Sequence, residues 1–185
     1  LKNKMEAINR QFRKFMYTAF EYLPTRYKAN AEQWKVREFI WAFKDGKEWA
    51  YRGAANIVAI QIKKRFGDRA KNMVFACVPA SSGHKNEIRY KRFSELVCEA
   101  TEMQNGYGHI TIESDRMAIH ETEKGKHLHE VSILSFDKDF FKGKEVFVFD
   151  DVITKGFSYA RFANLIETFG ATVLGGIFLA RTINI

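Results

Sequence analysis

Cysteine and proline are both scarce, at two of each in 185 residues. Cys77 and Cys98 stand in apolar surroundings without a CxxC spacing, so neither a disulfide framework nor a structural zinc site is expected. A reducing cytoplasm is the expected setting. Long apolar runs are missing too: Lys, Arg, Asp or Glu interrupt every stretch before it reaches the ~18 residues of a membrane span, which excludes a transmembrane protein. Charges recur through residues 1–23, so that stretch does not read as a signal peptide. Internal repeats and low-complexity tracts are absent. What remains, 46% hydrophobic and 28% charged, is the composition of one globular domain.

Acidic residues are short in one half only. The net charge is +8, but residues 1–70 hold 16 Lys and Arg against 7 Asp and Glu, while the other 115 hold 14 against 15. A basic front half suggests a polyanionic partner, and Trp34, Trp41 and Trp49 are available there for base stacking. Nucleic-acid binding is the weaker reading, because such tryptophans more often serve a core or an interface. Cations in the last turn of a helix, as at Lys63, Lys64 and Arg65, also suit the helix dipole.

Periodicity divides the chain at about residue 70. Met5, Ile8, Phe12, Phe15, Ala19 and Phe20 recur near helical spacing and predict a helix over 3–21. A second helix is expected from the cap Asn30, burying Val36, Phe39, Ile40 and Phe43 and ending at the Lys44-Asp45-Gly46 turn. A third is expected over 48–66, with Trp49, Ala50, Gly53, Ala54, Ile57 and Ile60 on its apolar side. Beyond residue 71 short apolar runs take over. Residues 73–78 and 146–149 read as strands covered on both faces. Further strands are expected at 109–112, 131–136 and 172–180, and helices at 86–103 and 158–169, the latter capped by Gly170. Strands alternating with helices predict an α/β fold: a Rossmann-like parallel sheet flanked by helices, with residues 1–70 as a basic helical segment packed on a 71–185 core and one domain overall.

Ligands of such sheets bind beyond the carboxyl ends of the strands. Two segments leave strands there with unusual chemistry. The first is VFVFDDVITKGFS, residues 146–158. Asp150 and Asp151 close a buried strand, where they can accept hydrogen bonds from neighbouring hydroxyls or hold a hydrated divalent cation. Val152, Ile153, Thr154, Lys155, Gly156, Phe157 and Ser158 then turn into a helix whose N-terminus, with small hydroxylated residues and a glycine, suits a phosphate. The second is PASSGHKNEIRYKRFS, residues 79–94. There Ala80, Ser81, Ser82 and Gly83 allow close backbone approach, Lys85 adds charge, and Arg89 and Arg92 lie three apart on one helix face. An acid pair, a threonine and a lysine also occur in response-regulator receiver domains, but only 34 residues follow Asp151, too few for the strand-helix units that arrangement needs.

Residues 146–158 resemble the phosphoribosyl-pyrophosphate (PRPP) motif of the type I phosphoribosyltransferases, with Lys155 where that family commonly has threonine. The continuation GATVLGGIFLART is similar to the family as well. Residues 41–59, the strand and proline after them, and Arg92-Phe93-Ser94 look like the ComF family of competence-associated phosphoribosyltransferase-like proteins, although the zinc-binding cysteines of that family are absent. The resemblance implies a phosphoribosyltransferase core and displacement of pyrophosphate from PRPP by a nitrogenous acceptor. Asp150 and Asp151 would meet the ribose hydroxyls, residues 152–158 the 5′-phosphate, and Ala80 to Lys85 with Arg89 and Arg92 the pyrophosphate. It implies Mg²⁺ carried by the substrate, with no direct protein ligand, and a homodimer. Residues 113–130 fall where the family has a mobile catalytic loop; His120, Lys124 and Lys126 would reach the leaving pyrophosphate, with Gly125 as pivot. The alternatives are a non-catalytic PRPP or nucleotide sensor and a ComF-like protein of DNA uptake.

Overall fold

The computed structural model describes residues 2–114 and 132–184. Helix α1 (Lys2–Phe12) turns at Arg13 and Lys14 into strand β1 (Phe15–Tyr22). Helices α2 (Ala31–Lys44) and α3 (Glu48–Phe66) follow, then β2 (Met73–Cys77), α4 (Gly83–Thr101) and the two-residue β3 (Gln104–Asn105). Strands β4 (Ile110–Ser114) and β5 (Ser132–Phe136), the short α5 (Lys138–Phe141), β6 (Glu145–Ile153), α6 (Phe157–Thr168) and β7 (Thr172–Thr182) complete the order.

Five strands make a wholly parallel sheet in the order β1-β7-β6-β2-β3. The alternation along β2 and β6 divides the core into two layers. Met73, Phe75, Cys77, Phe147 and Phe149 face α2, α3 and α4, where Phe93 packs 4.5 Å from Phe149 between ring centroids. Val74, Ala76, Val146 and Val148 face the other way, onto Ile8 of α1 and Tyr159, Phe162 and Ile166 of α6. Both strands are buried on both faces, as continuous apolar runs imply.

Three expectations are corrected. The helix expected over 3–21 stops at Phe12, and Phe15–Tyr22 is the edge strand of the sheet, paired with β7 from Phe15↔Gly175 to Tyr22↔Thr182. Gly175 is what lets it dock, because a Cβ there would lie 2.0 Å from the Phe15 carbonyl oxygen. The residues at 15–22 are rich in aromatics, which fit a half-buried strand as readily as a helix stripe, and the partner decides between them. The strands expected at 109–112 and 131–136 do not join the sheet; β4 and β5 pair with each other, antiparallel. Finally, α3 has the expected bounds but a different buried face, through Ala50, Ala54, Ala55, Val58, Ala59 and Ile62, leaving Trp49 and Ile60 exposed.

Trp34 and Trp41 are also exposed and meet edge to face at 5.9 Å. Among the described residues no helix is long and apolar enough to cross a membrane.

Candidate functional site

Strand β6 outlasts its neighbour. Its pairing with β2 ends at Cys77↔Phe149, while its pairing with β7 continues through Asp150↔Phe178 and Val152↔Ala180 to Ile153↔Arg181. The acid pair therefore sits inside the strand, at the point where one side of it opens, and not at its terminus as expected. Beyond Ile153 the chain turns, and α6 starts at Phe157 with Gly156 as N-cap.

Gly156 has φ +74°, the left-handed region that favours glycine. Among the described residues no side chain caps this helix, so its first N–H groups keep the unmet hydrogen-bonding capacity that any helix N-terminus has. The loop and the helix start, from Asp150 and Val152 through Thr154, Lys155 and Ser158 to Tyr159, line a pocket of about 290 Å³. Thr154 Oγ1 is 2.7 Å from Thr182 Oγ1, which ties the loop to the end of β7. The α1 helix supports the loop from behind: a Cβ on Gly156 would lie 2.6 Å from the Phe12 ring.

The two acids are not equivalent. Asp150 lines the pocket, and its Oδ1 accepts a bond from the Asp151 N–H at 2.9 Å. Burial and the adjacent Asp151 charge push its carboxyl up to about 8, against the smaller opposing effects of the Asp151 N–H bond, Lys44 and Arg89. Asp151 is buried and engaged: Arg89 Nη1 donates to its Oδ2 at 3.1 Å, Lys44 Nζ lies 3.8 Å from the same oxygen, and its Oδ1 accepts from the Val152 N–H at 2.7 Å. Beside them the Tyr90 hydroxyl and Arg89 Nε are buried without a partner among the described residues.

Residues 79–85 stand at the end of β2. The Ala80 N–H donates to Asn86 Oδ1 at 3.0 Å, and Ser82 caps α4 by accepting from the Lys85 N–H at 3.2 Å. The helix therefore starts at Gly83, three residues before its expected start. Lys85 is exposed in the first turn, and Ser81 is exposed. Arg89 and Arg92, expected to act together, separate: Arg92 bonds Glu95 and Glu99 on the outer surface, while Arg89 turns inward to Asp151. Three spacing in a helix leaves about 60° between side chains, enough to send one to the sheet and the other to solvent.

Sequence reasoning missed Lys44, Asn86 and Tyr90. Lys44 was legible only as the cation of a helix end, and nothing local couples it to a strand more than a hundred residues away. His120, Lys124 and Lys126, with most of the 113–130 stretch, lie outside the described residues. Among the described residues there is no cluster of three His, Cys, Asp or Glu suited to a metal ion.

No family model matches the chain, and no curated protein matches it. Among solved structures the chain is similar to an adenine phosphoribosyltransferase from Thermoanaerobacter pseudethanolicus, at 16% identity and TM-score 0.44, over 74% of this chain and 80% of that one. A purine phosphoribosyltransferase from Pyrococcus horikoshii aligns at 14% identity and TM-score 0.39, over 88% and 91%. An adenine phosphoribosyltransferase from Leishmania donovani aligns at 12% identity and TM-score 0.42, over 95% of this chain and 79% of that one.

Proposed function

We propose that the protein binds PRPP and transfers its phosphoribosyl group to a nitrogenous acceptor, releasing pyrophosphate. One observation carries the reading: the uncapped N-terminus of α6 opens on a pocket that Asp150 also lines, in the segment that resembles the PRPP motif. A helix start is suited to a phosphate, and a carboxyl beside it to the hydroxyls of the attached sugar. Burial and the adjacent Asp151 charge push the Asp150 carboxyl upward, and in either protonation state it presents oxygens to a hydroxyl pair.

In this mechanism the bond between the anomeric carbon and pyrophosphate breaks as the acceptor nitrogen attacks, through an oxocarbenium-like transition state. The backbone N–H groups at residues 157–159 hold the 5′-phosphate, and Asp150 orients the ribose. The 80–85 loop, with Lys85, faces the departing pyrophosphate. Bound through the substrate's own phosphates, with no direct protein ligand assigned, Mg²⁺ would supply charge neutralisation of the leaving group. The protein supplies position and electrostatics.

Calorimetry with PRPP and Mg²⁺ tests binding, and pyrophosphate release with a panel of purines, pyrimidines and amines tests turnover. Binding that is weakened at least tenfold in Asp150→Asn is expected; no PRPP binding to the wild type refutes the reading. The second reading, a PRPP or nucleotide sensor without turnover, is favoured by Asp151, whose Oδ2 is already committed to Arg89. Binding without pyrophosphate release under every acceptor selects it.

A further inference from the structure

Arg37 lies in the body of α2 with 2% of its surface exposed, yet among the described residues no carboxylate pairs with it. Its Nε–H donates to the Leu23 carbonyl at 2.8 Å, and Nη2 donates to the carbonyls of Pro24 and Tyr27 at 2.7 and 2.8 Å. These bonds use three of the five guanidinium donors, and Nη1 takes part in none of them. A guanidinium keeps its charge in a protein, and a buried charge is costly unless an opposite charge offsets it. Carbonyl dipoles satisfy donors without cancelling the charge.

The same side chain lines a pocket of about 370 Å³ with Thr25, Arg26, Tyr27, Lys28 and Trp34. Among the described residues no acid lines it, and both of the other charged residues there are cations. The Arg37 guanidinium lies 5.0 Å from the centre of the Trp34 ring, and Trp34 is 45% exposed, so its ring offers a flat apolar wall beside the charge. Clamping the 23–27 loop accounts for the three carbonyl bonds but not for a cation-only lining. The pocket shares the carboxyl edge of the sheet with the α6 pocket. Arg26 Nη2 donates to Asn184 at 3.1 Å, just past the strand whose Thr182 meets Thr154. The two pockets have no residue in common.

We propose that this pocket is a second ligand site, for a small planar anion: an aromatic or heterocyclic ring bearing a carboxylate or a phosphate. The anion is the missing counter-charge of Arg37, Arg26 and Lys28 stand at the rim, and the ring lies against Trp34. The proposal does not depend on the PRPP reading.

Trp41→Phe with Trp49→Phe leaves Trp34 as the sole tryptophan, because the chain has three. Its fluorescence is then titrated with benzoate, phenyl phosphate and the neutral benzamide. Saturable quenching by at least one of the two anions is expected, with benzamide at least tenfold weaker. Preference for benzoate assigns a carboxylate ligand, and preference for phenyl phosphate a phosphate. Arg37→Gln would also release the 23–27 loop, so the supporting variant is Arg26→Glu with Lys28→Glu, which leaves the clamp intact and is expected to weaken the anion at least tenfold. No saturable quenching by either anion, benzamide binding equal to both, or unchanged affinity in the rim variant overturns the proposal.

Discussion

Replacing Asp150 by asparagine should make the protein more stable at alkaline pH and remove a pH dependence that the wild type carries. In the fold the carboxyl is pushed up to about 8 by burial and by the neighbouring Asp151 charge; in the unfolded chain it returns to ~3.9. Its folded value is thus the higher one. Whatever cost it imposes is absent below the unfolded value, grows as pH rises between the two, and is complete above about 8. A difference of ~4 pK units at ~1.4 kcal/mol each sets an upper bound of ~6 kcal/mol. Asp150 is only half-buried, and Lys44 and Arg89 favour its charged form, so the expected destabilisation at pH 9 is ~1–3 kcal/mol. Asparagine has nearly the same shape, keeps an Oδ1 to accept the Asp151 N–H, and never ionises. Urea denaturation of both proteins from pH 4 to pH 9 measures the effect. With a slope of ~1–3 kcal/mol per molar urea, the variant's midpoint should exceed the wild type's by roughly 1 M at pH 9. The excess should shrink toward pH 4. A difference that stays flat over this range would show that Asp150 ionises like a carboxylate in water, and the electrostatic account of the pocket would fail.

Other perturbations separate the remaining claims. Arg89→Gln leaves the buried Asp151 carboxylate with Lys44 as its one cation among the described residues and should cost ~2–4 kcal/mol by urea denaturation, whereas less than ~1 kcal/mol would mean that the ion pair does not hold Asp151. Arg92→Gln removes only exposed partners and should leave both the urea midpoint and PRPP affinity unmoved; a loss of PRPP affinity would return Arg92 to the site. Gly156→Ala places a Cβ 2.6 Å from the Phe12 ring at φ +74° and should cost ~1–3 kcal/mol, only part of which Phe12→Leu restores; full restoration would show that backbone strain contributes nothing there. Gly175→Ala should cost more than ~2 kcal/mol and expose β1 amides to hydrogen exchange, while unchanged protection of residues 15–22 would argue against the close approach of Phe15.

Local signals explain why much of this molecule was legible in its sequence. The α2 start was readable because Asn30 and Gln33 form a reciprocal cap within four residues, and the bounds of α3 because cations and Gly67 close it. The runs at 73–77 and 146–149 were readable because a strand buried on both faces has no polar positions to spare. The loop after Asp151 was readable for a related reason: a left-handed glycine before a helix start is a local requirement, recorded in the residue that satisfies it.

Whatever depended on a distant partner was not readable. The Phe15–Tyr22 segment carries aromatics compatible with either a helix or a strand, and only β7, more than 150 residues further on, chooses. The inequality of Asp150 and Asp151 comes from Arg89 and Lys44 arriving on one side of the strand and the α6 pocket opening on the other. Arg37 looks in sequence like one more cation of a basic front half, and burial without a counter-ion is a property of the packed chain alone. By itself the sequence determined the parallel α/β layout and the turn from which α6 starts, because helix caps, apolar runs and glycine turns act within a few residues. Tertiary structure decided which charges are paired, which are buried and which face a pocket, because electrostatic energy depends on distance through space and on exclusion of water, neither of which follows chain order.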